Sequence, residues 1–362
     1  MLRQGAPRRL APWPLSTAQE TRRAPAQRSQ AGTTRWRYLW ESAKFSGIAL
    51  VTALALLLLF ERALFDTPAV AARLPVQGPS PNDKLLLAAR YPDTRVLYVG
   101  DSRVLTDIHP AIVSEACGCG PGFNAGFPAA DLRLTRIMAN RLLQKLSPDL
   151  IVIGVSQWEL SDQAQIQVWG PARELVAPWE LPDFGVSLDE PEEVQEAVES
   201  AWRLYKYRDE LRAALEPGAD TAGREDARRG FIPKRETRRV DEEDLSRDQQ
   251  RFFADFSVDG TRAETLRGLV ADLRRRGIHV LLVAPPLYPR FYDGVRDEVA
   301  LFHSAMEEVA AENGAVFEDL SVSRPIGLTA GNFRDAVHLD EAGASKFSRH
   351  LGNLIRSRLG TG

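Results

Sequence analysis

The chain has 362 residues, 44 % of them apolar, and a formal net charge of −3. That is enough apolar material for a sizeable core, and no basic field dominates, so nucleic acid is not an expected partner. Two cysteines are too few for a disulfide scaffold or a four-ligand zinc site, and the five histidines show no metal-ligand spacing.

Residues 1–44 carry eight arginines and one lysine against two glutamates, with many Pro, Ala and Gln. Such a segment cannot build a core and is expected to be a disordered cytoplasmic tail. Phe45 to Phe60 reads FSGIALVTALALLLLF, an uncharged apolar run between Lys44 and Glu61. It lacks the polar stripe of a soluble helix. The run is a little short of the roughly 20 residues of a spanning helix, and Tyr38, Leu39 and Trp40 extend it with interfacial aromatics. It is read as a single transmembrane anchor over 45–60. The arginine asymmetry places the chain beyond Glu61 outside the cytoplasm, in the periplasm or at the cell surface. A signal peptide cleaved near Ala69-Val70-Ala71 and an organellar transit peptide are the competing readings. Residues 61–93, broken by Pro68, Pro75, Pro79 and Pro81, are expected to be a tether.

From residue 94 to 358 the pattern changes. Continuous apolar runs at Arg95–Val99, Leu150–Val155, Ile278–Ala284 and Ala315–Asp319, with a short strand at Gly122–Asn124, alternate with helical stretches. Strands that are apolar throughout predict an α/β domain with a parallel sheet of about five strands, covered on both faces. Active sites in such sheets form at the carboxyl ends of the strands. The span 163–260 is too long for one crossover and is read as an insertion, helical over Glu190–Leu215; its charge-mixed part Glu216–Gln250 is expected to be solvated and partly mobile, with substrate gating or partner docking as the alternative role.

After the first strand stands Gly100-Asp101-Ser102-Arg103, and near the C-terminus Asp335-Ala-Val-His338-Leu-Asp340. A serine hydroxyl becomes a nucleophile when histidine takes its proton, and the imidazole needs a carboxylate to fix its tautomer. Ser102, His338 and Asp335 supply that set. Ser102 is placed in the loop before a helix starting at Pro110, and Asp340 is placed to cap the final helix.

These two blocks, in this order on this architecture, resemble the SGNH, or GDSL, hydrolase family. The resemblance implies a flavodoxin-like sheet and a Ser102–His338–Asp335 triad. It also implies an oxyanion hole built from the backbone N–H groups of Ser102 and Ala129, the latter in Phe123-Asn-Ala-Gly-Phe-Pro-Ala129. The family's third block carries an asparagine; here Gly154-Val-Ser156-Gln157-Trp158-Glu159 has none, and Gln157 is the substitute donor, with Ser156 or the Trp158 indole as alternatives. Arg103, Trp158 and Tyr288 are candidates for the substrate pocket. The Ser-Gln-Trp wording further resembles the DltD-like D-alanyl-transfer proteins of teichoic acid modification, and the alginate O-acetylation proteins are a second likeness. Both imply an acyl ester or envelope polymer as substrate and a membrane-bound O-acyltransferase as partner.

The expected activity is that of a serine esterase or O-acyltransferase, with water or a polymer hydroxyl as acceptor. Nothing in it requires a metal or an organic cofactor. The alternative is an accessory protein without turnover that binds a glycan or the acyltransferase. Cys117 and Cys119, two residues apart, are expected to be a reduced, incidental pair.

Overall fold

The computed structural model describes residues 31–67, 70, 74, 78–161, 163–164, 166, 168–187, 189, 191–215, 228–234 and 240–359. Two compact units are present, Met1–Leu59 and Phe60–Gly362. Helix α1 (Ala31–Asp66) contains the 23-residue stretch Ala43–Phe65, which with an 18-residue window of mean hydropathy 2.2 is long and apolar enough to cross a membrane. The expected boundary between a disordered tail and an anchor at residue 45 is therefore corrected. Residues 31–44 are helical, because no proline stands between Pro25 and Pro68 and the backbone ladder propagates upstream of the apolar run. Residues 1–30 of the expected tail lie outside the described residues, as do Ala69 and Ala71 of the alternative cleavage site.

In the second unit, α2 (Pro81–Ala88) leads into β1 (Val96–Val99), followed by α3 (Ser102–Asp107), α4 (Pro110–Cys117), β2 (Gly122–Asn124), α5 (Leu132–Leu142) and β3 (Leu150–Gly154). The insertion holds α6 (Trp169–Leu175), α7 (Pro191–Ala201), α8 (Arg203–Lys206), α9 (Arg208–Leu215) and α10 (Glu242–Phe253). Then come α11 (Gly260–Arg275), β4 (His279–Ala284), α12 (Pro289–Asp293), α13 (Arg296–Asn313), β5 (Val316–Asp319) and α14 (Glu341–Leu359). The five strands form one all-parallel sheet in the order β2-β1-β3-β4-β5. The predicted strands are met to within a residue or two.

Alternation along the strands divides the core in two. Leu97, Val99, Ile151, Ile153 and Leu282 face α5, α11 and α13, packing with Met138, Leu269 and Met306. Val96, Tyr98, Val152, Leu281 and Val283 face the other way, against Val113 of α4 and Phe347, Leu351 and Ile355 of α14. Both faces being buried is why the strands read as unbroken apolar runs.

Three expectations change. The tether does not reach residue 93: Ser80 and Asp83 form a capping box, Pro81 occupies the first turn of α2, and Leu85, Leu87 and Ala88 enter the core. Proline here starts a helix instead of breaking one. The stretch Glu216–Gln250 is not wholly solvated, since Phe231 and Leu245 join one core, and the rest of the insertion is anchored too, Phe253 in that core and Ala172, Leu175 and Ala197 in the other; residues 216–227 and 235–239 lie outside the described residues. Cys117 and Cys119 are joined as a disulfide, with Cα atoms 5.1 Å apart. Gly118, at φ +69°, ends α4 in the left-handed conformation and turns the chain back on itself.

Candidate active site

Gly100 stands between β1 and α3 at φ +148°, and a Cβ there would meet the Gly154 carbonyl oxygen and Val104 Cγ2 at 2.6 Å. Only glycine allows the chain to turn this close to the end of β3. Asp101 then caps α3, its Oδ1 accepting from Arg103 N–H at 2.9 Å. Ser102, half-buried, is the first residue of α3. It does not sit in a loop running on to Pro110; the short helix α3 intervenes.

The partner side chains come from a tight loop before α14. An isolated antiparallel bridge pairs Phe333 with Leu339, and Arg334 N–H donates to the His338 carbonyl at 2.9 Å. Asp335 Oδ1 accepts from the backbone N–H of Val337 at 3.1 Å and of His338 at 2.8 Å. The His338 ring places Nδ1 2.9 Å from both Asp335 carboxylate oxygens and Nε2 2.8 Å from Ser102 Oγ. A neutral imidazole with its proton on Nδ1 satisfies every one of these contacts, leaving Nε2 to accept from the serine hydroxyl. Burial pushes the Asp335 carboxyl up, but the His338 donor and charge and the two backbone N–H groups outweigh it and hold the group at about 2. Asp340 Oδ1 caps α14 through Gly343 N–H at 2.7 Å, as expected.

Asp107, at the last turn of α3, was not singled out by the sequence, because its partner lies 232 residues away. It is fully buried, and its Oδ1 accepts from Leu339 N–H at 3.1 Å and from Thr106 Oγ at 2.7 Å. It ties the helix that begins at Ser102 to the residue beside His338. Burial pushes its carboxyl up to about 6, against the opposing pull of His338 and Arg103. The unfolded side chain titrates near 3.9, so the folded state holds the proton more tightly, and stability from this group falls as pH rises from about 4 to about 6. Asparagine keeps an oxygen for Leu339 N–H and cannot ionise. Relative to the parent, Asp107→Asn is therefore expected to gain roughly 2–3 kcal/mol between pH 4 and pH 7. Urea unfolding at several pH values measures this, and a difference constant across that range would contradict it.

Gln157 is corrected as an oxyanion donor. It is fully buried, and its amide nitrogen donates to Pro285 O at 3.0 Å and Ser321 Oγ at 2.6 Å, while its oxygen accepts from Arg103 at 2.7 Å. Both amide hydrogens are committed away from Ser102. Ser156, the first alternative, donates its hydroxyl to Asp101 Oδ2 at 2.6 Å. Arg103 and Trp158 are corrected as pocket residues. Arg103 is wholly buried, reaching Pro286 O at 2.7 Å and Ser156 Oγ at 3.3 Å, with its guanidinium 5.2 Å from the centre of the Trp158 ring. Trp158, 4 % exposed, stacks on Phe252 at 4.3 Å. Tyr288 is buried too: its N–H donates to Ala336 O at 3.1 Å and its ring meets Phe333 edge-on at 5.7 Å, so it buttresses the His338 loop. Ala129 follows β2 in a turn at φ +55°, a backbone conformation that glycine ordinarily takes. Behind it Asn124, which sequence reasoning passed over, donates to Val104 O at 2.6 Å and Ile108 O at 2.7 Å and accepts from Gly126 N–H at 2.9 Å. That pins the Ala129 segment to α3.

Among the described residues no group of three or more His, Cys, Asp or Glu side chains is placed to hold a metal. Compared with known families the chain matches no family model, and compared with curated proteins it matches none. Among solved structures it is similar to a provisionally assigned G-D-S-L lipolytic protein from Desulfitobacterium hafniense DCB-2, at 12 % identity over 72 % of this chain and 99 % of that one, with a TM-score of 0.34. A second is a provisionally assigned platelet activating factor from Streptococcus pneumonia, at 14 % identity over 84 % and 99 %, also with a TM-score of 0.34. At that TM-score neither likeness bears weight; the functional reading rests on side-chain geometry.

Proposed function

We propose that the chain is a serine-dependent acyl hydrolase or O-acyltransferase of the SGNH type. The observation that carries this reading is the continuous Ser102–His338–Asp335 hydrogen-bonded series at 2.8 and 2.9 Å. Ser102 Oγ attacks an ester or thioester carbonyl while its proton passes to His338 Nε2. Asp335 holds the imidazole in the required tautomer and stabilises the imidazolium that forms. The N–H groups of Ser102 and Ala129 receive the oxyanion, since Gln157 is engaged elsewhere. The proton then moves from His338 to the leaving group, and water or a polymer hydroxyl resolves the acyl-serine by the reverse path.

The arginine-rich start and α1 support a membrane-anchored protein with its catalytic unit outside the cytoplasm. The resemblance to the DltD-like and alginate O-acetylation proteins supports an envelope polymer ester as substrate, beside a membrane-bound O-acyltransferase. The deciding experiment is labelling of the detergent-purified full chain with a fluorophosphonate, which reacts only with an activated serine. Labelling is expected in the parent and absent in Ser102→Ala. A folded parent that never labels would overturn the proposal in favour of a non-catalytic binder.

A further inference from the structure

The insertion carries an exposed apolar face that catalysis does not use. Val194, Val198 and Trp202 recur every four residues along α7 and just past its end, which stacks them on one side of the helix. They are 41 %, 51 % and 37 % exposed, and Tyr205, 40 % exposed, continues the row. The Trp202 and Tyr205 rings stack at 6.2 Å, and the Arg208 guanidinium lies 4.5 Å from the Tyr205 ring centre. Scattered exposed apolar residues are ordinary, but a contiguous row ending in two aromatics marks an interaction surface.

Its position indicates the partner. The segment that follows Trp202 grips the end of α1 within the second unit. Glu61 accepts from Arg203 N–H at 2.7 Å, and the Phe65 ring lies 5.7 Å from that of Tyr207 with Arg203 over it at 5.2 Å. Glu61 and Phe65 are buried in protein, so the lipid-facing part of the helix has ended by Glu61. Chain continuity therefore puts the surroundings of Glu61 at the level where the helix leaves the hydrocarbon. Tryptophan and tyrosine concentrate at that level because each has an apolar ring and a polar edge. Glu192, Glu193, Glu196 and Glu199 on α7 disfavour a strongly anionic surface, and Arg208 and Arg212 of α9 are balanced by Asp209 and Glu210 beside them.

We infer that the face formed by Val194, Val198, Trp202 and Tyr205 rests in the interfacial layer of the bilayer, against zwitterionic headgroups. This rests on the reading of α1 as a membrane anchor and assigns the insertion the task of seating the catalytic unit on the membrane.

The test uses the full chain in phosphatidylcholine vesicles with a bimane fluorophore on a single introduced cysteine, Cys117 and Cys119 being joined to each other. Val198→Cys replaces an exposed side chain and leaves both aromatics in place. Leu54→Cys reports the anchor, and Glu264→Cys, on exposed α11 surface, reports solvent. With a lipid spin-labelled near its headgroup, Val198→Cys is expected to lose about half its emission, while Glu264→Cys stays bright. Leu54→Cys should be quenched by a lipid labelled deep in its chain. Quenching at Leu54 without quenching at Val198 would overturn the inference and leave the anchor standing, the result expected if another protein covers this face. Absence of quenching at Leu54 would overturn the anchor reading and the inference together.

Discussion

His338→Ala is expected to lower kcat for a simple ester by roughly 10⁴-fold or more, with KM changed little. The ring accepts from Ser102 Oγ at 2.8 Å, and none of the described hydrogen bonds gives that hydroxyl a second base. Binding of the ester does not depend on the imidazole, so the loss falls on the transition state. Asp335→Asn is expected to be nearly as damaging, for a different reason. An asparagine amide would donate to Nδ1, force the ring proton onto Nε2 and leave Ser102 facing a donor. The backbone bonds from Val337 and His338 need only one oxygen, which asparagine keeps, so the loop should hold its shape. Ester hydrolysis by both variants, alongside circular dichroism, reads the effect. Either variant keeping kcat within tenfold of the parent while folded would remove the triad from the mechanism.

That prediction was legible in the sequence because it needed only order and spacing. A serine after the first strand and an Asp-x-x-His after the last are brought together by any parallel sheet that places its strand ends on one side. The five strands were legible for a related reason: buried on both faces, Leu150–Gly154 and His279–Ala284 show apolar runs that admit few other structures. The direction of a side chain in the loop after β3 was not legible in that way. Gln157 has the chemistry of an oxyanion donor, but chemistry does not say which way the amide points. The local signal was Ser156-x-x-Glu159, a capping box that rolls the segment into a tight 3₁₀ turn with Gln157, Trp158 and Glu159 buried. Asp107 carried no local signal, since its role exists only once α3 and the His338 loop are packed together.

Arg103 shows what that buried turn is for. Its guanidinium is wholly enclosed, bonded to Gln157 Oε1, Ser156 Oγ and Pro286 O, and surrounded by the carboxyls of Asp101, Asp107 and Glu159. Burial lowers its pKa, and those carboxylates, Asp101 foremost, pull the other way. Burial, with Asp101 adding to it, also pushes the Glu159 carboxyl well above the usual range. The fork thus joins the loops after β1, β3 and β4 just beneath Ser102, its immediate neighbour in α3. Arg103→Met keeps much of the volume but takes the donor away from all three acceptors and leaves the acidic groups without their cation. Breaking a buried charge cluster in this way costs about 3–5 kcal/mol, a large share of the roughly 5–15 kcal/mol that holds a domain folded. Arg103→Lys should recover only part of that loss, because an ammonium cannot span the three loops with a planar fork. Urea unfolding of the three proteins at pH 7 is the measurement, with activity followed in parallel. A pocket role for Arg103 predicts the opposite pattern, a raised KM with unchanged stability, and that result would move Arg103 from beneath the site into it.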